Sequence, residues 1–138
     1  ALEGRTWDAV VDTSGYFTGE VEDVCKVLSG NVGQYVYISS LSVYSSLEVT
    51  ADPVDEQSPL AACADKYVQN MGKNGEHYGG LKRHCEDAAA AAFPGKATLV
   101  RPGYIVGPRD DSDRFTYWPA RLLRGGECLA PGDPDNDL

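Results

Sequence analysis

The sequence has little positive charge. Its 138 residues include 12 Lys and Arg against 21 Asp and Glu, which gives a formal net charge of −9. Nucleic acids and anionic membranes are bound through Lys and Arg that displace counterions, so this acidity disfavours both as partners. A dinucleotide is not excluded, because backbone N–H groups can hold its phosphates.

Paired cysteines and long apolar runs are also absent from the sequence. Four cysteines occur without a Cys-x-x-Cys pair, at Cys25, Cys63, Cys85 and Cys128. Their wide spacing is not typical of a zinc site, and reduced, partly buried thiols are expected. The longest apolar run, 88–93, is too short to span a membrane. These absences favour a cytoplasmic protein without a membrane anchor.

Two acidic clusters, 110–113 and 133–137, are the only candidates for a metal site. The second resembles the start of a calcium loop but lacks the glycine and the closing glutamate of such a loop. Solvated loops are the better interpretation of both clusters, and no metal is predicted.

Apolar periodicity and turn residues predict strands that alternate with helices. Strands are predicted at Trp7–Asp12, Tyr35–Ser40 and Ala97–Val100. Helices are predicted from Thr18, as the cap, to Gly30, at His77–Phe93 and at Asp113–Arg124, with a further candidate at Leu60–Met71. This alternation indicates an α/β fold in which helices flank a parallel sheet.

The chemistry is concentrated in a Tyr-x-x-x-Lys motif, Tyr78 to Lys82, in a predicted helix. Residues four apart lie on one helix face, so the phenol and the ammonium can reach the same cavity. A nearby cation favours the phenolate and lowers the pKa of a tyrosine, which makes it a usable proton donor or acceptor. Alone, the motif more often marks a solvated helix surface.

Two other segments follow predicted strands, where ligands bind in open parallel sheets. Residues 39–44, Ser-Ser-Leu-Ser-Val-Tyr, place hydroxyl groups there, although a serine-rich turn explains them equally well in isolation. Residues 101–108, Arg-Pro-Gly-Tyr-Ile-Val-Gly-Pro, contain glycines that allow the backbone to approach a flat ligand closely. Alone, that segment is also an ordinary exit from a strand.

Together these segments resemble the extended short-chain dehydrogenase/reductase family, which includes nucleotide-sugar epimerases and dehydratases. The resemblance covers nearly the whole chain. It rests on four motifs in the family's order: Val-Val-Asp-Thr-Ser-Gly, Ile-Ser-Ser-x-Ser-Val-Tyr, Tyr-Gly-x-x-Lys and Val-Arg-Pro-Gly-x-x-x-Gly-Pro. It implies a partial Rossmann-like, doubly wound parallel sheet with flanking helices, incomplete at both ends.

The resemblance also implies a catalytic set. Tyr78 matches the family's acid/base, Lys82 its partner, and Ser40 the catalytic serine, with Ser42 as the fallback. In such enzymes NAD or NADP exchanges a hydride with a small-molecule hydroxyl or carbonyl substrate while the tyrosine moves a proton.

The expected cofactor contacts come from the same motifs. Besides Tyr78 and Lys82, they are matched by Thr13, Ser14, Gly15, Pro102, Gly103 and Ile105. The first three correspond to the turn beside the cofactor's ribose and phosphates, and the last three to the backbone near the nicotinamide.

The sequence departs from the family in several respects, and the most important concerns the pyrophosphate. It has no Gly-x-x-Gly-x-x-Gly turn, whose N–H groups bind the pyrophosphate. We therefore interpret residues 1–138 as a single partial NAD(P)-binding domain, with an active-site loop at 45–76 and the start of a substrate-binding region at 109–138. Impaired activity and homo-oligomerisation through uncovered surfaces are expected. The alternative is a non-catalytic member that senses NAD(P) or binds RNA, as atypical relatives do.

Overall fold

The computed structural model describes residues 2–47 and 53–129. Its strands are β1 (Trp7–Asp12), β2 (Val32–Ile38) and β3 (Ala97–Val100), and its helices are α1 (Thr18–Leu28), α2 (Tyr78–Ala92) and α3 (Tyr117–Leu123). Single 3-10 turns lie at Leu41–Val43 and Lys73–Gly75. By its contacts the chain divides into two compact units, residues 1–103 and 104–138.

The first unit is built on an open parallel sheet in the order β1-β2-β3. Val10 pairs with Tyr35, which pairs in turn with Ala97. The parallel strands and the helices between them confirm the predicted α/β class and are consistent with a partial Rossmann-like fold. The predicted bounds of β1 and β3 are confirmed.

The second strand lies earlier than predicted, because the chain leaves the sheet before Ser40. Its last residue is Ile38, and the next N–H, that of Ser39, donates to the carbonyl of Val100 at 2.7 Å. Ser40 then caps the 3-10 turn that follows. Both serines therefore stand directly beyond the carboxyl end of β2.

Helices α1 and α2 pack together against one face of the sheet. The core between them contains Val21, Cys25, Leu28, Val32, Tyr35, Tyr37, Cys85, Ala89 and Phe93, all buried. The rings of Tyr35 and Phe93 stack at 4.7 Å between centroids. Burying such apolar side chains, at roughly 2 kcal/mol each, is the main stabilising contribution in this unit.

The opposite face of the sheet is open within the described residues. It carries the alternate side chains of the strands, and Val11 and Val100 keep 59% and 38% of their surface exposed. Branched apolar residues at these positions are typical of a sheet covered on both faces. The expected self-association stays a prediction.

Two local predictions are wrong. Residues 60–71 form turns and bends rather than a helix, because Ala61 pairs with Val43 and the side chains of Asp65 and Asn70 accept backbone N–H groups two residues on. Such side-chain bonds compete with helix formation. Thr18 is the first residue of α1 and not its cap, which is Phe17.

The predicted end of α1 is confirmed by Gly30, whose φ of +77° is the left-handed conformation that follows many helices. Helix α2 lies within one residue of its predicted bounds at either end.

The second unit contains one short helix among its described residues. Helix α3 is shorter than the predicted 113–124, and Pro119 lies in its first turn, where a missing N–H is tolerated. Apolar side chains are unusually exposed here, with Leu123 at 89% and Ile105 at 73%.

Candidate active site

The side chain of Lys82 lies at the carboxyl ends of β1 and β2. Its Nζ donates to the carbonyl of Gly15 at 2.9 Å and to that of Ile38 at 2.8 Å. Only 3% of the residue is exposed. An ammonium has three N–H donors, so one remains for a ligand once these two carbonyls are bound. Lys82 is thus a buried cation held by backbone at the sheet edge where open α/β folds bind ligands.

Two tyrosine rings lie within cation–π range of this ammonium, and a third tyrosine lies next to one of them. Nζ of Lys82 lies 4.4 Å from the ring centre of Tyr37 and 5.2 Å from that of Tyr16, both within cation–π range. The ring of Tyr16 lies 6.4 Å from that of Tyr78. Tyr37 is fully buried, whereas Tyr78 is half-buried and Tyr16 is 46% exposed. Tyr16, next to the buried cation, and Tyr78, next to the ring of Tyr16, therefore both border solvent.

Burial is the main influence on the ionisation of Lys82. Desolvation lowers its pKa from the ordinary value, and electrostatic interactions with the acidic groups of Cys85, Asp12 and Glu86 oppose that shift. An amine so placed gives up its proton more readily than a surface lysine.

The turn after β1 presents the carbonyl that Lys82 binds. Oδ1 of Asp12 accepts the backbone N–H groups of Ser14 and Gly15, each at 3.0 Å. A Cβ on Gly15 would lie 2.5 Å from Cγ2 of Val21, so only glycine fits there. Thr13 and Ser14 are exposed on the outside of the turn. The structure therefore brings the predicted turn Thr13–Gly15 directly to Lys82.

Ser40 caps the 3-10 turn that leaves β2. Its Oγ accepts the N–H of Ser42 at 3.1 Å, which leaves its own O–H free to donate. Ser42 is exposed. Ser39 is 5% exposed, and its Oγ has no hydrogen-bond partner among the described residues. Ser40 therefore keeps a hydroxyl donor directly after β2, and its catalytic role stays a prediction.

The two glycines between Tyr78 and Lys82 allow α2 to approach this segment. A Cβ on Gly79 would overlap the carbonyl oxygen of Ser42, and one on Gly80 would lie 2.5 Å from Cβ of Cys63. These contacts place the start of α2 against residues 41–43 and against the long connection. The motif's glycines are thus explained by close packing.

The described parts of the predicted active-site loop, 45–47 and 53–76, contact both helices. Ser45 donates to the carbonyl of Pro59, and the carbonyl of Cys63 lies 2.9 Å from Nε2 of His84 in α2. The hydroxyl of Tyr67 donates to Glu22 in α1. The segment is therefore anchored along the helices; a role over the active site stays a prediction.

The residues predicted to line the nicotinamide fall on both sides of the boundary between units. The carbonyl of Pro102 accepts the N–H of Leu41 at 3.0 Å, and Gly103 lies against the side chain of Leu41. Both thus adjoin the segment after β2. Ile105 belongs to the second unit.

Sequence reasoning missed several residues that build the site. The sequence alone assigns Asp12 to a strand and to the first of the four motifs but gives it no role of its own. It indicates Tyr35 and Tyr37 only as strand residues and gives no indication for Tyr16. The only signal in the sequence is the acid Asp12 directly after the apolar residues 9–11 of a strand, which is unusual for a buried position.

No cluster of three or more His, Cys, Asp or Glu that could hold a metal occurs in the described ranges. The predicted calcium-like segment, 133–137, lies outside them. All four cysteines are free thiols. No helix among residues 2–47 and 53–129 is long and apolar enough to cross a membrane.

Comparison of the chain with protein-family models, with curated proteins and with solved structures finds no significant match. The functional argument therefore depends on the geometry of the site and on the motifs themselves.

Proposed function

We propose that this site belongs to an NAD(P)-dependent oxidoreductase, epimerase or dehydratase that acts on a hydroxyl or carbonyl group of a small molecule. The observation that carries the proposal is the buried ammonium of Lys82, held by two backbone carbonyls one helical turn from Tyr78. A buried cation costs free energy, and such groups concentrate at functional sites.

In this proposal Tyr78 exchanges the proton with the substrate oxygen. Lys82, four residues further along the same helix, is its partner. The O–H of Ser40 donates to the same substrate oxygen and orients it. Tyr16 forms an exposed aromatic wall beside Tyr78.

The residues present fit a nicotinamide dinucleotide in part. The spare N–H of Lys82 suits a ribose hydroxyl, and the exposed turn at Thr13 and Ser14 leaves room beside it. Pro102 and Gly103 would border the nicotinamide. When bound, NAD or NADP supplies or accepts the hydride.

The test is a titration of the protein with NADH and with NADPH, followed by nicotinamide fluorescence. We expect saturable binding that Lys82→Met weakens about 10-fold or more, as for the loss of a charged hydrogen bond. Lys26→Met is the matched control, because Lys26 is an exposed lysine paired only with the neighbouring Asp23. Absence of binding by both nucleotides contradicts the proposal.

Tyr78→Phe separates an enzyme from the sensing alternative. With a carbonyl substrate found by screening for nucleotide oxidation, we expect turnover to fall by a factor on the order of 10² or more while nucleotide binding persists. Tyr67→Phe, at an exposed tyrosine of the long connection, is the control. Nucleotide binding without turnover of any substrate in the native protein favours the sensor.

A further inference from the structure

Asp12 is a buried carboxylate that has no ion-pair partner in the described part of the chain. It is 9% exposed, and both of its oxygens accept hydrogen bonds. Oδ1 accepts the N–H groups of Ser14 and Gly15, and Oδ2 accepts the hydroxyl of Tyr35 at 2.7 Å. A buried charge without a partner is expensive, so its retention calls for a physical reason.

The reason lies on the other side of the same turn. The N–H of Gly15 points to Asp12, while its carbonyl accepts from Nζ of Lys82 at 2.9 Å and from the hydroxyl of Tyr37 at 2.7 Å. One glycine residue therefore bridges a buried anion and a buried cation. Because no Cβ fits at Gly15, the turn has little freedom to rearrange.

From this geometry we infer that Asp12 is a positioning residue for Lys82: it fixes the carbonyl that holds the ammonium, and its negative charge balances the buried positive one. The inference extends the proposed function, since it assigns a role to a residue behind the proposed catalytic lysine.

The other charged and titratable groups around Lys82 do not supply that balance. Glu86 on α2 is neutralised by Arg101, whose guanidinium binds both of its oxygens. Burial raises the pKa of the Cys85 thiol, which therefore stays uncharged at neutral pH. Burial raises the pKa of the Tyr37 phenol on β2 as well, so it is also uncharged at neutral pH. The other tyrosines of the site, Tyr16 and Tyr78, carry phenols and no carboxylate.

The inference is tested by following the ionisation of Lys82 directly. Side-chain NMR of the lysine Cε groups is recorded against pH, and the Lys82 signal is the one missing from Lys82→Met. Asp12→Asn keeps an oxygen for the two N–H groups but removes the charge. We expect the Lys82 midpoint to fall by about half to one pH unit, because loss of a nearby anion disfavours the ammonium.

Asp23→Asn is the matched control, because Asp23 is an exposed carboxylate paired with Lys26. It is expected to change the titration of Lys26 and leave that of Lys82 unaltered. An Asp12→Asn protein that is folded by circular dichroism and shows an unmoved Lys82 midpoint overturns the inference.

A second measurement covers the case in which Asp12→Asn does not fold. The double variant Asp12→Asn/Lys82→Met removes both charges, so it is expected to unfold at a higher urea concentration than Asp12→Asn alone, and to regain its fold where Asp12→Asn has lost it. A double variant that is no more stable than Asp12→Asn contradicts the pairing of the two charges.

The outcome is independent of nucleotide binding. If NADPH binds, its affinity is expected to decline as the pH rises and Lys82 loses its proton. In Asp12→Asn this decline is expected to begin at a lower pH than in the native protein. If no nucleotide binds, the proposed function fails, while the shift of the Lys82 midpoint still decides whether Asp12 balances its charge.

Discussion

Arg101, the first residue after β3, forms a two-point ion pair with Glu86 in α2. Its Nε and Nη2 lie 2.9 and 2.7 Å from the two carboxylate oxygens, and its Nη1 donates to the hydroxyl of Tyr44 at 3.0 Å. Glu86 is only 3% exposed. This pair joins the end of β3, the middle of α2 and the segment after β2, which together carry most of the candidate site.

Replacement of Glu86 by Gln is therefore expected to destabilise the protein by about 3 kcal/mol, because it leaves the guanidinium partly buried without its anion. Urea unfolding followed by circular dichroism measures the change. Asp87→Asn, one residue along α2, is the control: its ion contact with Arg83 is long and exposed, and its loss is expected to cost less than about 0.5 kcal/mol. Equal losses for the two variants would argue against the structural role of the buried pair.

A second prediction concerns the two helices that begin with glycine at their second position. In α2, a Cβ on Gly79 would overlap the carbonyl of Ser42, so Gly79→Ala is expected to destabilise the protein by about 1–3 kcal/mol. In α1, a Cβ on Gly19 meets nothing within 4 Å. Gly19→Ala is expected to stabilise by up to about 1 kcal/mol, the usual gain from alanine in a helix. Thermal unfolding of both variants checks the opposite signs.

A loss of stability at high pH is predicted from Cys25. Desolvation raises the pKa of its thiol from 9.0 to about 11. The folded state keeps this proton where the unfolded state has lost it, so the stabilisation is complete below pH 9 and is lost as the pH rises through 11. The loss amounts to about 3 kcal/mol.

Cys25→Ala removes that contribution. Its free energy of unfolding is expected to fall less steeply between pH 8 and pH 11 than that of the native protein. Burial also raises the pKa of Tyr35 and of Tyr37, but both tyrosines remain in the variant and their effect cancels in the comparison. Cys128→Ala, at an exposed thiol, controls for the loss of one cysteine. Parallel curves for Cys25→Ala and the native protein would refute the prediction.

The elements that the sequence predicted well are those whose signals are local. The four residues of β3 are bounded by Pro94-Gly95 and Arg101-Pro102, and the apolar stripe of α1 ends at Gly30, where positive φ is required. The helix predicted at residues 60–71 is wrong because their composition suits a helix, whereas their backbone N–H groups bond to Val43 and to nearby Asp and Asn side chains. Periodicity does not reveal that competition.

Only those residues of the candidate site that belong to a sequence motif could be predicted. Tyr78 and Lys82 share a helix, so their proximity follows from spacing. The carbonyl that binds Lys82 belongs to Gly15, 67 positions away, and the partner of Arg101 is a glutamate within an alanine-rich helix. Such contacts arise from the register of the sheet and the packing of α2, which one sequence does not specify.

The last prediction separates the two serine candidates. Ser40 caps the 3-10 turn while keeping its O–H free, whereas Ser42 is exposed and contributes its backbone N–H to that cap. If the proposed function holds, Ser40→Ala is expected to reduce turnover about 100-fold or more, the usual cost of losing a donor to a reacting oxygen. Loss of the cap is expected to reduce stability by only about 1 kcal/mol.

Ser42→Ala retains the N–H and is expected to keep turnover within about threefold of the native rate. Steady-state kinetics at saturating nucleotide distinguishes the variants, and a larger loss from Ser42→Ala than from Ser40→Ala would shift the assignment to Ser42.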